Sequence, residues 1–227
     1  MIHYTKNEIL TDCECALSKP ELFYNASMVN YRGETKDTVE PYSEIIAEFL
    51  LNNLNRYNIP TITRQTSYKT ETHDAVYDKE SNRKEEIIAM QIFSQGNLNI
   101  VGEILDYQTP LKNKRTDTAG KIDLLAYDGN TLRILELKKP DSKETLLRCV
   151  LEGYTYLNTV DRKKLLHDFK LPDNTEIVAC PFVFKNSVQY KEWLEVGPML
   201  KKLINTLNGK PLFITEEYNR YQIFEEE

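Results

Sequence analysis

Asp123, Glu136 and Lys138 are the residues whose types and spacing could carry chemistry in this chain. The runs Lys121–Tyr127 and Leu132–Lys139 read as strands, joined by Asp128-Gly129-Asn130, a strong hairpin signal. Side chains alternate along a strand, so Asp123, Leu125 and Tyr127 share one face, and Leu132, Ile134, Glu136 and Lys138 share a face of the partner. A two- or four-residue loop at 128–131 sets Asp123 across from Glu136, or one pair diagonal to it, on one face with Lys138. A three-residue loop without a bulge would separate them. Facing carboxylates cost roughly 0.2–1 kcal/mol in solvent and more when desolvated, and the apolar remainder of both strands predicts burial on both faces. A buried acid pair needs a proton, a lysine or a metal. Lys138 supplies one charge; a hard divalent cation, Mg²⁺ or Mn²⁺, suits the carboxylate oxygens and keeps waters in its shell. Such an ion polarises a phosphoryl oxygen and lowers the pKa of an attacking water. A lysine beside it orients that water and stabilises developing negative charge. The competing reading is a buried Asp–Lys–Glu ion-pair cluster without chemistry.

The elements that must position these residues follow from periodicity. Pro41–Tyr57 carries Ile45, Ile46, Phe49, Leu50 and Leu54 at helical spacing, closed by Pro60. The first forty residues are polar and turn-rich, and 61–80 offers at most a hairpin. Asn82 with Glu85 predicts a capping box opening a helix to about Gln95. A strand from Leu98 to Tyr107 follows, then a polar loop with Lys112, Lys114 and Arg115. After Pro140, Asp141 and Glu144 predict another capping box before a helix burying Leu146, Leu147, Val150, Leu151, Tyr154 and Leu157. A strand at Glu176–Phe184, a helical stretch at Trp193–Leu207 and short strands at Leu212–Thr215 and Tyr221–Phe224 complete the chain. The expected fold class is α/β, a mixed central sheet flanked by helices on both faces. Residues 81–227 form its domain, and residues 1–80 a helical and irregular extension that covers the sheet, shapes access, or makes a homodimer contact.

Charge is unevenly distributed. Residues 109–148 hold nine Lys or Arg and six acids, a local +3 inside a chain of net −6, so the remainder carries −9. A basic segment enclosing candidate metal ligands fits a phosphodiester substrate, whose affinity rests on phosphate contacts. The four cysteines do not form a disulfide framework, no apolar run approaches the ~18 residues of a membrane span, and the start lacks a signal peptide; a reducing cytoplasm is the expectation.

Gly120-Lys121-Ile122-Asp123-Leu124-Leu125-Ala126 followed by Ile134-Leu135-Glu136-Leu137-Lys138-Lys139 resembles the PD-(D/E)XK nuclease superfamily of restriction-endonuclease-like folds, over about residues 82–185. The resemblance implies an α-β-β-β-α-β core, with Asp123 and Glu136 as the motif acids and Lys138 as the lysine. It implies metal ligation by Asp123, Glu136, the Leu137 carbonyl and a glutamate of the preceding helix. Glu86 is the better candidate for the last, because capping uses Glu85. It also implies substrate contacts from the following helix, where Arg148, Glu152 and Tyr156 form one polar stripe at i, i+4, i+8. Lys139, Lys143, Arg148 and Tyr156 are thus the substrate-binding candidates, although an Arg148–Glu152 surface pair explains part of that stripe. Ile122 stands where the family's name-giving proline would be.

Other chemistries find little support. His3, His73 and His167 are scattered without HExxH spacing, His73-Asp74 reads as an exposed turn pair, and no Gly-rich phosphate loop is present. The expected activity is a metal-dependent nuclease, on DNA rather than RNA and with no membrane partner. The alternatives are an inactive nuclease-fold module for nucleic-acid binding or assembly, and an interaction protein using its acidic surface.

Overall fold

The computed structural model describes residues 4–71, 73, 83–113 and 120–224. Lys114, Arg115 and Asn82 of the readings above therefore lie outside the described residues.

After α1 (Lys6–Leu17) and α2 (Tyr42–Asn52), helix α3 (Lys84–Gln95) leads into β1 (Asn97–Leu98), β2 (Gly102–Pro110), β3 (Lys121–Tyr127) and β4 (Thr131–Lys138). Helices α4 (Leu146–Thr159) and α5 (Arg162–Asp168) then carry the chain to β5 (Glu176–Phe184). Helices α6 (Val188–Leu194) and α7 (Pro198–Thr206) precede β6 (Leu212–Glu217) and β7 (Arg220–Phe224). The strands form one seven-stranded mixed sheet in sequence order: β1 to β4 antiparallel, β4, β5 and β6 parallel, and β7 antiparallel again. Parallel neighbours need crossover connections, and the helices between β4, β5 and β6 supply them.

The sheet curls until it is nearly a barrel. The Gln95 side chain bonds both the amide (2.9 Å) and the carbonyl (3.0 Å) of Tyr221, and Asn99 does the same at Ile223. Two side-chain amides thereby occupy the free edge of β7, an edge that would otherwise invite pairing by another chain.

One face of the sheet carries Leu125, Ile134 and Ala179 against α4 and the N-terminal segment, and the opposite face carries Leu124, Leu135 and Phe182 against α3. The first face shares one apolar cluster with Ile9, Phe23, Met28, Ile45 and Leu50. Residues 4–71 are thus built into the main core.

Five local expectations change. The first forty residues hold α1 (Lys6–Leu17), not only turns: Thr5 and Glu8 close a capping box, and Ile9, Cys13 and Leu17 form a narrow buried stripe. Helix α3 is entered through Arg83 with no side-chain cap, so Glu85 is not spent on capping. Helix α4 is capped by Thr145, whose hydroxyl accepts from the Arg148 amide at 3.2 Å; Asp141 and Glu144 lie in the preceding turn. The stretch after β5 is two helices broken at Glu195–Gly197, since Pro198 starts a helix well but cannot continue one. Residues 61–71 lie outside any strand apart from an isolated bridge between Ile62 and Val160.

Candidate functional site

The β3–β4 hairpin pairs Tyr127 with Leu132 across the four residues 128–131, and the ladder continues to Leu124 opposite Leu135. The next step brings Asp123 opposite Glu136. There the ladder gives way to a side chain: the Leu137 amide donates to Asp123 Oδ2 at 3.0 Å. The Leu137 carbonyl faces the same side as its amide, because both point the same way in an extended strand. On the other flank, Gln108 of β2 donates to Asp123 Oδ1 at 2.8 Å. Gln108 comes opposite Asp123 only because the β2–β3 register shifts between Ile104 and Asp106.

Lys138 is buried, with 5% of its surface exposed. Its ammonium lies 2.8 Å from Glu136 Oε1, 2.9 Å from Glu144 Oε2 and 2.9 Å from Glu152 Oε2. Tyr156 donates to Glu152 Oε1 at 3.0 Å, and Arg148 Nε lies 2.9 Å from Glu144 Oε1. Four carboxylates, Asp123, Glu136, Glu144 and Glu152, thus surround two cations, Lys138 and Arg148. Glu136 Oε2 is buried with no hydrogen-bond partner.

Burial pushes the Asp123 carboxyl up to about 7; Glu152 and Glu85 push the same way, against Lys138 and the Leu137 amide. Burial also lifts Glu136 well above the carboxylate range, with Glu152 and Asp123 adding to it against Lys138. Burial disfavours the charge on Lys138, but Glu136 and Glu152 outweigh it and hold its proton more tightly than usual. Glu152 moves the other way: despite burial, Lys138, Arg148 and the Tyr156 hydroxyl keep it below the usual range. Lys138 and Glu152 are the settled ion pair, while Asp123 and Glu136 carry the frustrated charge.

The open side is a cleft of about 400 Å³ lined by Arg83, Lys84, Glu85, Glu86, Gln108, Asp123 and Lys139. Glu86 lies in it but pairs with Arg83 at 3.2 Å, whereas Glu85 accepts from the Lys139 amide at 3.2 Å and is the acid of α3 that Asp123 feels. Lys139 pairs with Asp141 at 3.4 Å, and Lys143 is exposed on the turn before α4. Arg148 and Tyr156 reach the centre from beneath. The Arg148 guanidinium donates to Asn25 Oδ1 at 2.9 Å and lies over the Tyr24 ring. Buried Tyr156 presses on Gly120, where a Cβ would stand 2.2 Å from its hydroxyl.

Sequence reasoning missed Gln108, Glu144 and the inward turn of Glu152. The stripe Arg148–Glu152–Tyr156 was visible, but which way it faces is set by α4 packing on the sheet. His73 pairs with Asp106: Nδ1 lies 2.5 Å from Asp106 Oδ1, and the ring stacks on Tyr107. Asp74 lies outside the described residues.

Among the described residues no three His, Cys, Asp or Glu side chains are gathered with their donor atoms as a metal site would hold them. Lys138 stands among the carboxylates instead. The donor types nonetheless fit a hard divalent cation: carboxylate oxygens dominate, and Glu136 Oε2 is an unspent buried acceptor. Among the described residues, no helix is long and apolar enough to cross a membrane. Comparison with protein-family models, with curated proteins and with solved structures found no match to this chain.

Proposed function

We propose that the protein is a divalent-metal-dependent nuclease of the PD-(D/E)XK type, hydrolysing phosphodiester bonds, with DNA as the expected substrate. The observation that carries this reading is the buried, unpartnered Glu136 Oε2 beside Asp123, in a network with two more carboxylates than cations. Unpaired buried charge is costly, and one divalent ion would balance this excess. With the two-residue β1 and the short α5 set aside, the order α3, β2, β3, β4, α4, β5 supports a restriction-endonuclease-like core, and Asp123, Glu136 and Lys138 keep the motif spacing.

Asp123, Glu136 and the Leu137 carbonyl would hold Mg²⁺ or Mn²⁺, with Glu85 or Glu86 reaching in from α3. The bound ion would polarise the phosphoryl oxygen and acidify a water. Lys138, anchored by Glu152, would orient that water and stabilise the charge developing on phosphate oxygens. Lys139 lines the cleft and would meet a phosphate there, and Lys143, exposed on the turn before α4, is a further candidate.

A second reading, an inactive nuclease-fold module for nucleic-acid binding or assembly, is favoured by the three carboxylates already satisfying Lys138. Incubation with plasmid, single-stranded DNA and RNA, in Mg²⁺, Mn²⁺ or EDTA, separates the two. Metal-dependent cleavage lost in Lys138→Ala supports the nuclease, whereas nucleic-acid binding without cleavage by the parent supports the module.

A further inference from the structure

A second cleft, of about 310 Å³, opens between the N-terminal segment and the α6–α7 connection, away from Asp123. Leu147, Val196 and Leu200 line it with apolar surface, and Glu34, Glu192 and Glu195 supply three carboxylates. Its one cation, Arg32, is committed elsewhere: Nε lies 2.6 Å from Glu192 Oε1, Nη1 donates to the Lys143 carbonyl at 2.6 Å, and Nη2 to the Glu144 carbonyl at 2.7 Å. Glu34 and Glu195 are exposed, and neither is in an ion pair among the described residues. Leu194, in the same turn as Glu195, leaves 58% of its surface in solvent although most large apolar residues are buried.

Apolar walls under a rim of unpaired carboxylates match one ligand chemistry, a long cationic side chain that lays its methylenes on apolar surface and its charge among acids. We propose that this cleft docks an arginine or lysine side chain flanked by apolar residues, presented by a partner peptide. The cleft's own chemistry decides against an anion, because Arg32 is spent and the lining carries two more acids than bases. It also decides against a purely apolar occupant, which would desolvate Glu34 and Glu195 without compensation.

The cleft is mechanically joined to the candidate site. Glu192 Oε2 accepts from the Leu146 amide at 2.6 Å, and Arg32 holds the turn whose Glu144 contacts Lys138. A cation docked against Glu192 competes for the carboxylate that braces this turn, so occupancy is expected to change the exposure of the 143–146 amides.

Trp193, the single tryptophan of the chain and adjacent to Glu192, is a built-in reporter. A capped peptide with one arginine between two leucines is titrated into the full chain, alongside the same peptide with glutamate in place of arginine. Trp193 emission is expected to change saturably with the arginine peptide alone. Affinity is expected to fall roughly tenfold in Glu34→Lys/Glu195→Lys and to weaken with salt. Hydrogen exchange at residues 143–146 should shift on saturation. Both substituted side chains are exposed, so the variant is expected to unfold at the parent's temperature, and Glu195→Gln serves if it does not. No saturable change, an equal response to the glutamate peptide, or undiminished affinity in the variants overturns the proposal. None of these readouts depends on nuclease activity.

Discussion

At Lys138 three carboxylates share one ammonium, and that arrangement sets what substitution must do. Removing one partner of a buried charge network typically costs about 3–5 kcal/mol, because the remaining charges are stranded. Lys138→Ala is therefore expected to lower the urea midpoint substantially and, on the proposed function, to abolish any metal-dependent cleavage, and equilibrium unfolding beside the cleavage assay tests both. Lys138→Arg is the informative companion: it keeps the charge but not the compact donor.

Asp123 gives a pH signature of opposite sign to an ordinary surface acid. Its carboxyl is held up at about 7 in the fold, against about 4 when unfolded. Its favourable contribution is thus whole below about pH 4 and is lost as pH rises through about 7. Asp123→Asn should flatten that decline and leave the protein more stable than the parent at pH 8, by about 1 kcal/mol or more, while losing any metal-dependent cleavage. If the variant unfolds earlier than the parent at pH 8, the frustrated-charge account is wrong. Asp128 behaves the other way. Burial works against its charge, but Arg133 and the Thr131 and Asn130 amides hold it down at about 2. Its contribution is present above about pH 4 and fades as pH falls toward 2, and Asp128→Asn should remove that acid-side loss.

At the scale of elements, α4 is the hinge between chemistry and scaffold. It delivers Glu152 to Lys138, and its N-terminus is held by Thr145, which accepts from the Arg148 amide and donates to the Val29 carbonyl at 2.6 Å. Thr145→Ala removes a cap worth about 1 kcal/mol together with that bond to the N-terminal segment. Thermal unfolding should show a loss of about 1–2 kcal/mol, and Thr145→Ser should recover most of it. Gly120 matters for a different reason. Any side chain there displaces the Tyr156 hydroxyl from Glu152, so Gly120→Ala should loosen the lysine's anchor without replacing any ionisable side chain.

On the scale of the whole molecule, the sheet closes on itself through the Gln95 and Asn99 side chains. Backbone groups of β7 find their partners in residues about 125 positions earlier in the chain. Asn99→Ala is expected to raise hydrogen exchange at the Ile223 amide and to promote self-association, since an unpaired edge is a template for another strand. Unchanged exchange at Ile223 would mean that the closure is incidental. The N-terminal segment belongs to the same whole: Arg32, Asn30 and Val29 converge on residues 143–145, so truncating residues 1–40 should disturb the candidate site and not only expose the core.

The hairpin and the shared face of Glu136 and Lys138 were legible locally, because strand alternation and an Asp128-Gly129 turn allow few registers, and the observed four-residue connection is what puts Asp123 on that face. Strand β5 was equally legible, being a short apolar run between breakers. Helix α1 carried a local signature too, in Thr5 and Glu8, but its stripe of Ile9, Cys13 and Leu17 is too narrow to stand out from a polar segment. Only the tertiary structure decided that Glu144 and Glu152 meet Lys138, that Gln108 holds Asp123 and that His73 finds Asp106. Those contacts depend on how α4 rotates on the sheet, where β2 shifts register, and which loop crosses it. Each is a packing choice among faces and registers that local sequence leaves nearly equal in energy.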